Sequence, residues 1–267
     1  MGLYVLDAIR HANIVHDISN EIVVGKIIQF DANQLNDLLK GPVKDIILDT
    51  KGKSEIENLL TDCHQTDFEF SLLQEILDVP QTYEGWFIGE TIAEVFLNHV
   101  GNCEYPWPTS RDLKNKNASP AGCDLTGLQR VDDESFPYRF SFGEVKTSED
   151  TNSPPSVMQS LSDQLFGLRD EKEIKHQLFL YLAHHAVNKE WYTKFQSAAS
   201  RYLKSEGQDV AIYGILVRDT QPNVLDIRAK VRSLAKNCPD NTTIELYALH
   251  IPLCQITNLP TLFNSVI

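Results

Sequence analysis

From Trp86 onward the chain switches between helical and strand patterning in one order: a helix, two strands, three helices, a strand, a helix and a final strand. That order admits few folds, because helices interleaved with strands must cover both faces of a sheet. The expected class is α/β (or α+β), a mixed sheet flanked by helices. Trp86 to His99 carries a helical repeat that closes near Gly101, and a polar stretch rich in Pro, Asn and Lys runs from Tyr105 to Gly122. Strands are expected at Cys123–Val131 and Tyr138–Thr147, joined by the turn 132–137. A loop at Ser148–Pro155 leads to helices at Ser156–Leu168, Glu173–Val187 and Trp191–Ser205. Ala211–Arg218 reads as a buried strand, Leu225–Lys236 as a helix and Thr243–His250 as a strand.

Residues 1–80 mix expected strands (Leu3–Ile9, Glu21–Phe30, Val43–Asp49) with expected helices (Asp31–Lys40, Ser54–Thr61, Phe70–Leu77). Pro80 marks a boundary between this acidic α/β extension and a second domain over 81–267. The 267-residue chain has 24 Lys+Arg against 37 Asp+Glu, a net charge of −13, of which residues 1–80 hold −8. Such acidity argues against holding nucleic acid by a broad basic surface. Five scattered cysteines without a C-x-x-C pair suit free thiols in a reducing cytoplasm and exclude a clustered zinc site. The adjacent His184 and His185 diverge on a helix and chelate poorly. Charge interrupts the N-terminus too early for a secretory signal, and no apolar run approaches a membrane span. A soluble, cytoplasmic protein is expected.

The residues that carry chemistry are Glu144-Val145-Lys146, at the end of the second hairpin strand. Positions i and i+2 of a strand share a face, so Glu144 and Lys146 point the same way. Four other acid-x-Lys triplets occur, at Asp49/Lys51, Asp112/Lys114, Asp170/Lys172 and Glu173/Lys175. The last two fall in helical runs, Asp112/Lys114 is in the irregular stretch, and Asp49/Lys51 ends an expected strand without supporting acids. Glu144 has such support. A hairpin centred on Glu134 sets Asp124 opposite it, where directly opposed Cβ atoms lie about 5 Å apart. Glu90 and Glu94, four residues apart on the early helix, each offer a third oxygen. A few carboxylates with retained waters suit Mg²⁺ (or Mn²⁺), and Lys146 would sit beside the metal-bound water, orienting it or stabilising charge that builds on the phosphate.

These residues resemble the PD-(D/E)xK nuclease superfamily, whose restriction-endonuclease-like core places an acid on one hairpin strand and Glu-x-Lys on the next. Asp124 matches the first acid, Glu144 and Lys146 match the Glu-x-Lys, and Gly89-Glu90 resembles the helix acid that many members carry. The resemblance spans roughly residues 86–220, and Gly122-Cys123 stands where the literal Pro of the motif would be. It implies a Mg²⁺-dependent deoxyribonuclease, with Asp124, Glu144, the Val145 carbonyl and Glu90 as metal ligands and Lys146 orienting the attacking water. More narrowly, Gly89-Glu90, Gly122-Cys123-Asp124 and Phe142 to Lys146 resemble the nuclease subunit of Hachiman-type anti-phage defence systems, which acts with a helicase partner. Other readings are a non-catalytic interaction subunit on a nuclease-like scaffold, a stand-alone restriction-type endonuclease, and a hydrolase of another phosphate substrate.

Residues 188–236 are locally basic, with nine bases against five acids. Arg228, Arg232 and Lys236 line up at i, i+4 and i+8 beside the apolar stripe Ile227, Val231 and Leu234, as a solvated face or a track for phosphates. Arg111, Lys114 and Lys116 in the irregular stretch form a second candidate contact for nucleic acid. Trp107 reads as a part-buried anchor or a stacking platform, and Gln159 and Gln164 as surface residues or neighbours of the site.

Overall fold

The structure, a computed structural model, describes residues 9, 12–63, 66–77, 83–108, 111 and 122–267. The expected strand Leu3–Ile9 falls almost entirely outside them. The described residues build one seven-stranded sheet in the order β1-β2-β7-β6-β5-β4-β3. The strands are β1 Asn13–Asp17, β2 Val23–Gln29, β3 Cys103–Glu104, β4 Leu125–Arg130, β5 Tyr138–Ser148, β6 Val210–Arg218 and β7 Thr242–His250. β2, β7, β6 and β5 run parallel to one another, while β1, β4 and β3 join by antiparallel pairs. The mixed sheet expected from the sequence is therefore present, and it is flanked by helices on both faces.

The helices are α1 Ala32–Leu38, α2 Lys44–Ile47, α3 Thr50–Leu59, α4 Asp67–Leu77, α5 Gly85–Val100, α6 Val157–Asp170, α7 Lys172–Ala186, α8 Tyr192–Lys204, α9 Arg228–Leu234 and α10 Leu259–Asn264. β6 is buried along its whole length, and its side chains feed two cores in alternation. Ala211, Tyr213, Ile215 and Val217 join Val145 and helices α1, α5 and α10 on one face. Val210, Ile212 and Leu216 join Phe140, Phe142 and helices α6 to α9 on the other.

One expectation about the N-terminal part changes. Lys44–Ile47, within the expected strand Val43–Asp49, is helical rather than extended, and follows a kink at Gly41. Its β-branched content suggested a strand, but the buried residues Val43 and Ile47 are spaced by four, a helical interval. The expected boundary at Pro80 falls outside the described residues, and the chain before it adds to the same sheet: β2 pairs with β7 from Val23↔Ile244 to Gln29↔His250. Leu35, Leu38, Val43 and Ile47 share the core of α5.

Local signals explain most other elements. Asp31 accepts a hydrogen bond from the Gln34 amide while the Gln34 side chain accepts one from the Asp31 amide, a capping box that starts α1. Helix α4 buries none of its side chains. Phe68, Leu72 and Ile76, spaced by four on one face, are 78%, 47% and 60% exposed.

Candidate active site

The hairpin register decides the geometry. β4 pairs with β5 from Arg130↔Tyr138 only as far as Leu125↔Gly143, whereas β5 stays paired with β6 through Ser148. Extending the register by one step sets Asp124 opposite Glu144, as a hairpin centred on Glu134 requires. Beyond Gly143 the β4-side edge of β5 has lost its partner strand, and side chains replace the missing backbone groups. Gly122, at φ +107°, turns the chain into this position with a backbone that favours glycine. The Gly143 amide donates to Cys123 Sγ at 3.2 Å, and the Cys123 thiol lies 2.9 Å from the Gly143 carbonyl. The Val145 amide donates to Asp124 Oδ2 at 2.8 Å. The N–H and C=O of one strand residue point to the same side, so the Val145 carbonyl opens into the notch that Asp124 borders.

Glu144 and Lys146 project from the same face of β5. Lys146 Nζ lies 3.6 Å from Glu144 Oε2 and 3.9 Å from Asp124 Oδ2. Glu144 is only 3% exposed, and its buried Oε2 accepts no hydrogen bond. The third acid comes from the far face of the sheet. Helix α5 crosses β5 so closely at Gly89 that a Cβ there would lie 2.3 Å from Thr147 Oγ1, and this approach brings the next residue, Glu90, to the notch. Burial, then the charge of Asp124, pushes Glu90 up to about 8, with Glu144 adding to the rise and Lys146 opposing it. Glu144 is raised for the same reasons, burial first and Asp124 second, against Lys146. Carboxylates gathered with too little positive charge retain protons in this way.

A divalent cation suits these residues. The donors are carboxylate oxygens and a main-chain carbonyl, the set Mg²⁺ prefers, and the orphaned Glu144 Oε2 is a buried acceptor still lacking a donor. Among the described residues, no three His, Cys, Asp or Glu side chains are already gathered into a ligand cage. Asp124 and Glu144 form the pair, and Glu90 is close enough to share their field.

Other sequence candidates lie elsewhere. Glu94, one turn after Glu90, lines a separate cavity, and burial alone raises its carboxyl. Asp49, in the rival triplet, caps α3 from a left-handed backbone at φ +44° and binds Arg111, so it and Lys51 do not share a strand face. Arg111 gives both Nε and Nη2 to Asp49, at 2.7 Å each, and would have to leave that pair to meet a phosphate. Trp107 stacks on His185 with ring centres 4.3 Å apart, with Arg111 and Lys189 over its face. Lys114 and Lys116 lie outside the described residues. Arg228, Arg232 and Lys236 are exposed while Ile227, Val231 and Leu234 are buried, so the expected stripe forms. It packs beside β2, at the other end of the sheet from Arg111. Gln159 is an exposed residue bonded to Asp163 and Lys230, and Gln164 keeps a buried Oε1 without a partner.

Sequence reasoning missed the groups that support the site from behind. Ser148, Arg218 and His250 stand side by side at the ends of β5, β6 and β7. Arg218 is fully buried, pairs with the buried Asp226, and donates Nη2 to the carbonyls of Asp150 and Asn152. It thereby pins the loop that leaves Lys146. The available signal was a charged residue closing an otherwise apolar strand, Val210 to Val217. No protein-family model matches the chain, and no curated protein matches it.

Proposed function

We propose that the chain is a divalent-cation-dependent nuclease that hydrolyses phosphodiester bonds of DNA. The observation that carries this reading is the notch beyond Leu125, where Asp124, Glu144 and Lys146 converge on an edge of β5 that no described strand covers. Asp124, fixed by the Val145 amide, and Glu144 would hold the ion together with the Val145 carbonyl, with Glu90 assisting. When bound, Mg²⁺ would supply Lewis-acid polarisation of the phosphate and lower the pKa of a coordinated water. Lys146, tethered by two carboxylates, orients the attacking water and places a positive charge where the phosphate gains negative charge. Glu90, raised to about 8 by burial and the Asp124 charge, would give up its proton on joining the ion.

Linear and circular DNA and single-stranded RNA, incubated with Mg²⁺, Mn²⁺ or a chelator, test the reading. Cleavage of DNA that needs the ion and falls about a hundredfold or more in Lys146→Ala is expected. Parent-rate cleavage by Lys146→Ala would remove Lys146 from the mechanism. Absence of ion-dependent cleavage by the parent on every substrate would favour the scaffold reading.

The partner is a further part of the proposal: a helicase of an anti-phage defence complex, as the Hachiman resemblance implies. The exposed stripe Phe68, Leu72 and Ile76 on an acidic helix supports a docking role for the N-terminal part, because solvent-facing apolar stripes mark interaction surfaces. Phe68→Asp with Ile76→Asp should leave the melting temperature within about 1–2 °C of the parent, since neither side chain is buried. The same variant should lose co-purification with the partner. Retained co-purification would place docking elsewhere. A cytoplasmic location fits the five free thiols, and no helix among the described residues is long and apolar enough to cross a membrane.

A further inference from the structure

One turn along α5 from Glu90, on the flank beside β3, lies a cavity of about 650 Å³ that the proposed reaction does not use. Its size is that of a small-molecule site. Most of its charges are already spent on one another. Arg111 is bound to Asp49, Lys194 to Glu104, and Lys51 to Glu190 at 3.6 Å. Glu94 is the exception. It lines the cavity without a hydrogen bond or ion pair among the described residues, and only burial acts on its carboxyl, raising it to about 8. Asp45 adds a second carboxylate, exposed at the mouth, and Tyr105 and Trp191 supply aromatic walls.

This composition selects the charge of the occupant. An anion would meet Glu94 and Asp45, while the described cations of the wall, Lys51, Arg111 and Lys194, are already paired with acids. A neutral ligand would gain no more than a hydrogen bond with the protonated Glu94 carboxyl. An ammonium group answers both conditions, because it lets Glu94 ionise and can also rest against an aromatic face. We propose that this cavity binds an aliphatic diamine or polyamine, with one ammonium on Glu94 and a second towards Asp45. The site stands apart from the carboxylates of the notch, and the proposal does not depend on the nuclease reading.

Titration calorimetry of the full chain with putrescine, in physiological salt near neutral pH, tests it. One equivalent should bind saturably, and Glu94→Gln should weaken binding by about tenfold or more. That variant should fold, because glutamine reproduces the neutral form the carboxyl already takes in the cavity, and its melting temperature should match or exceed the parent's. Ionisation of Glu94 on binding should also release a proton, seen as a difference in heat between phosphate and Tris buffers. The proposal fails if putrescine does not saturate the parent. It fails equally if Glu94→Gln binds as tightly, which would assign the heat to the acidic surface, or if no proton is released.

Discussion

Glu144→Gln should abolish phosphodiester cleavage and at the same time make the protein more stable above neutral pH. The first effect follows from the proposed role. Loss of one ligand of the ion removes several kcal/mol of transition-state stabilisation, about a thousandfold or more in rate. The second follows from the direction of the Glu144 shift. Burial and the Asp124 charge raise its folded pKa above the unfolded value of 4.5, so the folded state binds the proton more tightly. Its contribution to stability is therefore greatest at acid pH and declines as pH climbs from that unfolded value towards the raised folded one. Glutamine keeps the shape without the titration. The variant should melt close to the parent at mildly acid pH and above it at alkaline pH, by about 2–4 °C for each kcal/mol recovered. Mn²⁺ should raise the alkaline melting temperature of the parent and leave that of Glu144→Gln unmoved. A purely structural ion pair with Lys146 predicts the opposite sign, since breaking it would lower stability at alkaline pH. Thermal melts at the two pH values, with and without Mn²⁺, separate the two accounts.

How much of this was visible in the sequence depends on the range of the signal. The hairpin was legible because both strands, the turn and the opposition of Asp124 to Glu144 arise within 25 residues, from Asp124 to Ser148, and period-two patterning fixes the register. The shared face of Glu144 and Lys146 was legible for the same local reason. The choice between Glu90 and Glu94 was not. Both lie on one face of α5, and only the crossing of α5 over β5 at Gly89 turns Glu90 to the notch while Glu94 lines another cavity. The placement of β2 beside β7 was equally hidden, because it joins residues more than two hundred positions apart. Composition misled at Val43 and Ile47, where β-branched residues occupy helical positions because the core accepts them at that spacing. The described acids Asp31, Asp37 and Asp45 are exposed, while Leu35, Leu38, Val43 and Ile47 of the same segment join the common core.

Arg218→Ala should be among the most destabilising single substitutions in the chain, by about 3–5 kcal/mol, or about 10 °C or more in melting temperature. Arg218, Asp226 and His250 are each fully buried. Arg218 Nη1 donates to Asp226 Oδ1, and His250 Nε2 stands 3.3 Å from Asp226 Oδ2 while its Nδ1 lies 2.8 Å from the Thr220 carbonyl. Burial alone would raise Asp226, but His250, Ser153 and the Arg218 guanidinium together hold it below the usual carboxylate range. Asp226 therefore contributes stability above its unfolded pKa that disappears as pH falls through the lower folded value. Removing Arg218 strands that carboxylate in the interior and frees two carbonyls of the loop after Lys146, so the loss should be largest near neutral pH and smaller in acid. The exposed Arg228→Ala should change the melting temperature little. Replacing both members of the pair, Arg218→Met with Asp226→Leu, should recover much of the loss, because the damage lies in the uncompensated charge and not in the absence of the ion pair itself. An Arg218→Ala variant that melts within about 2 °C of the parent would show that water reaches the triad and that the loop is held by other contacts.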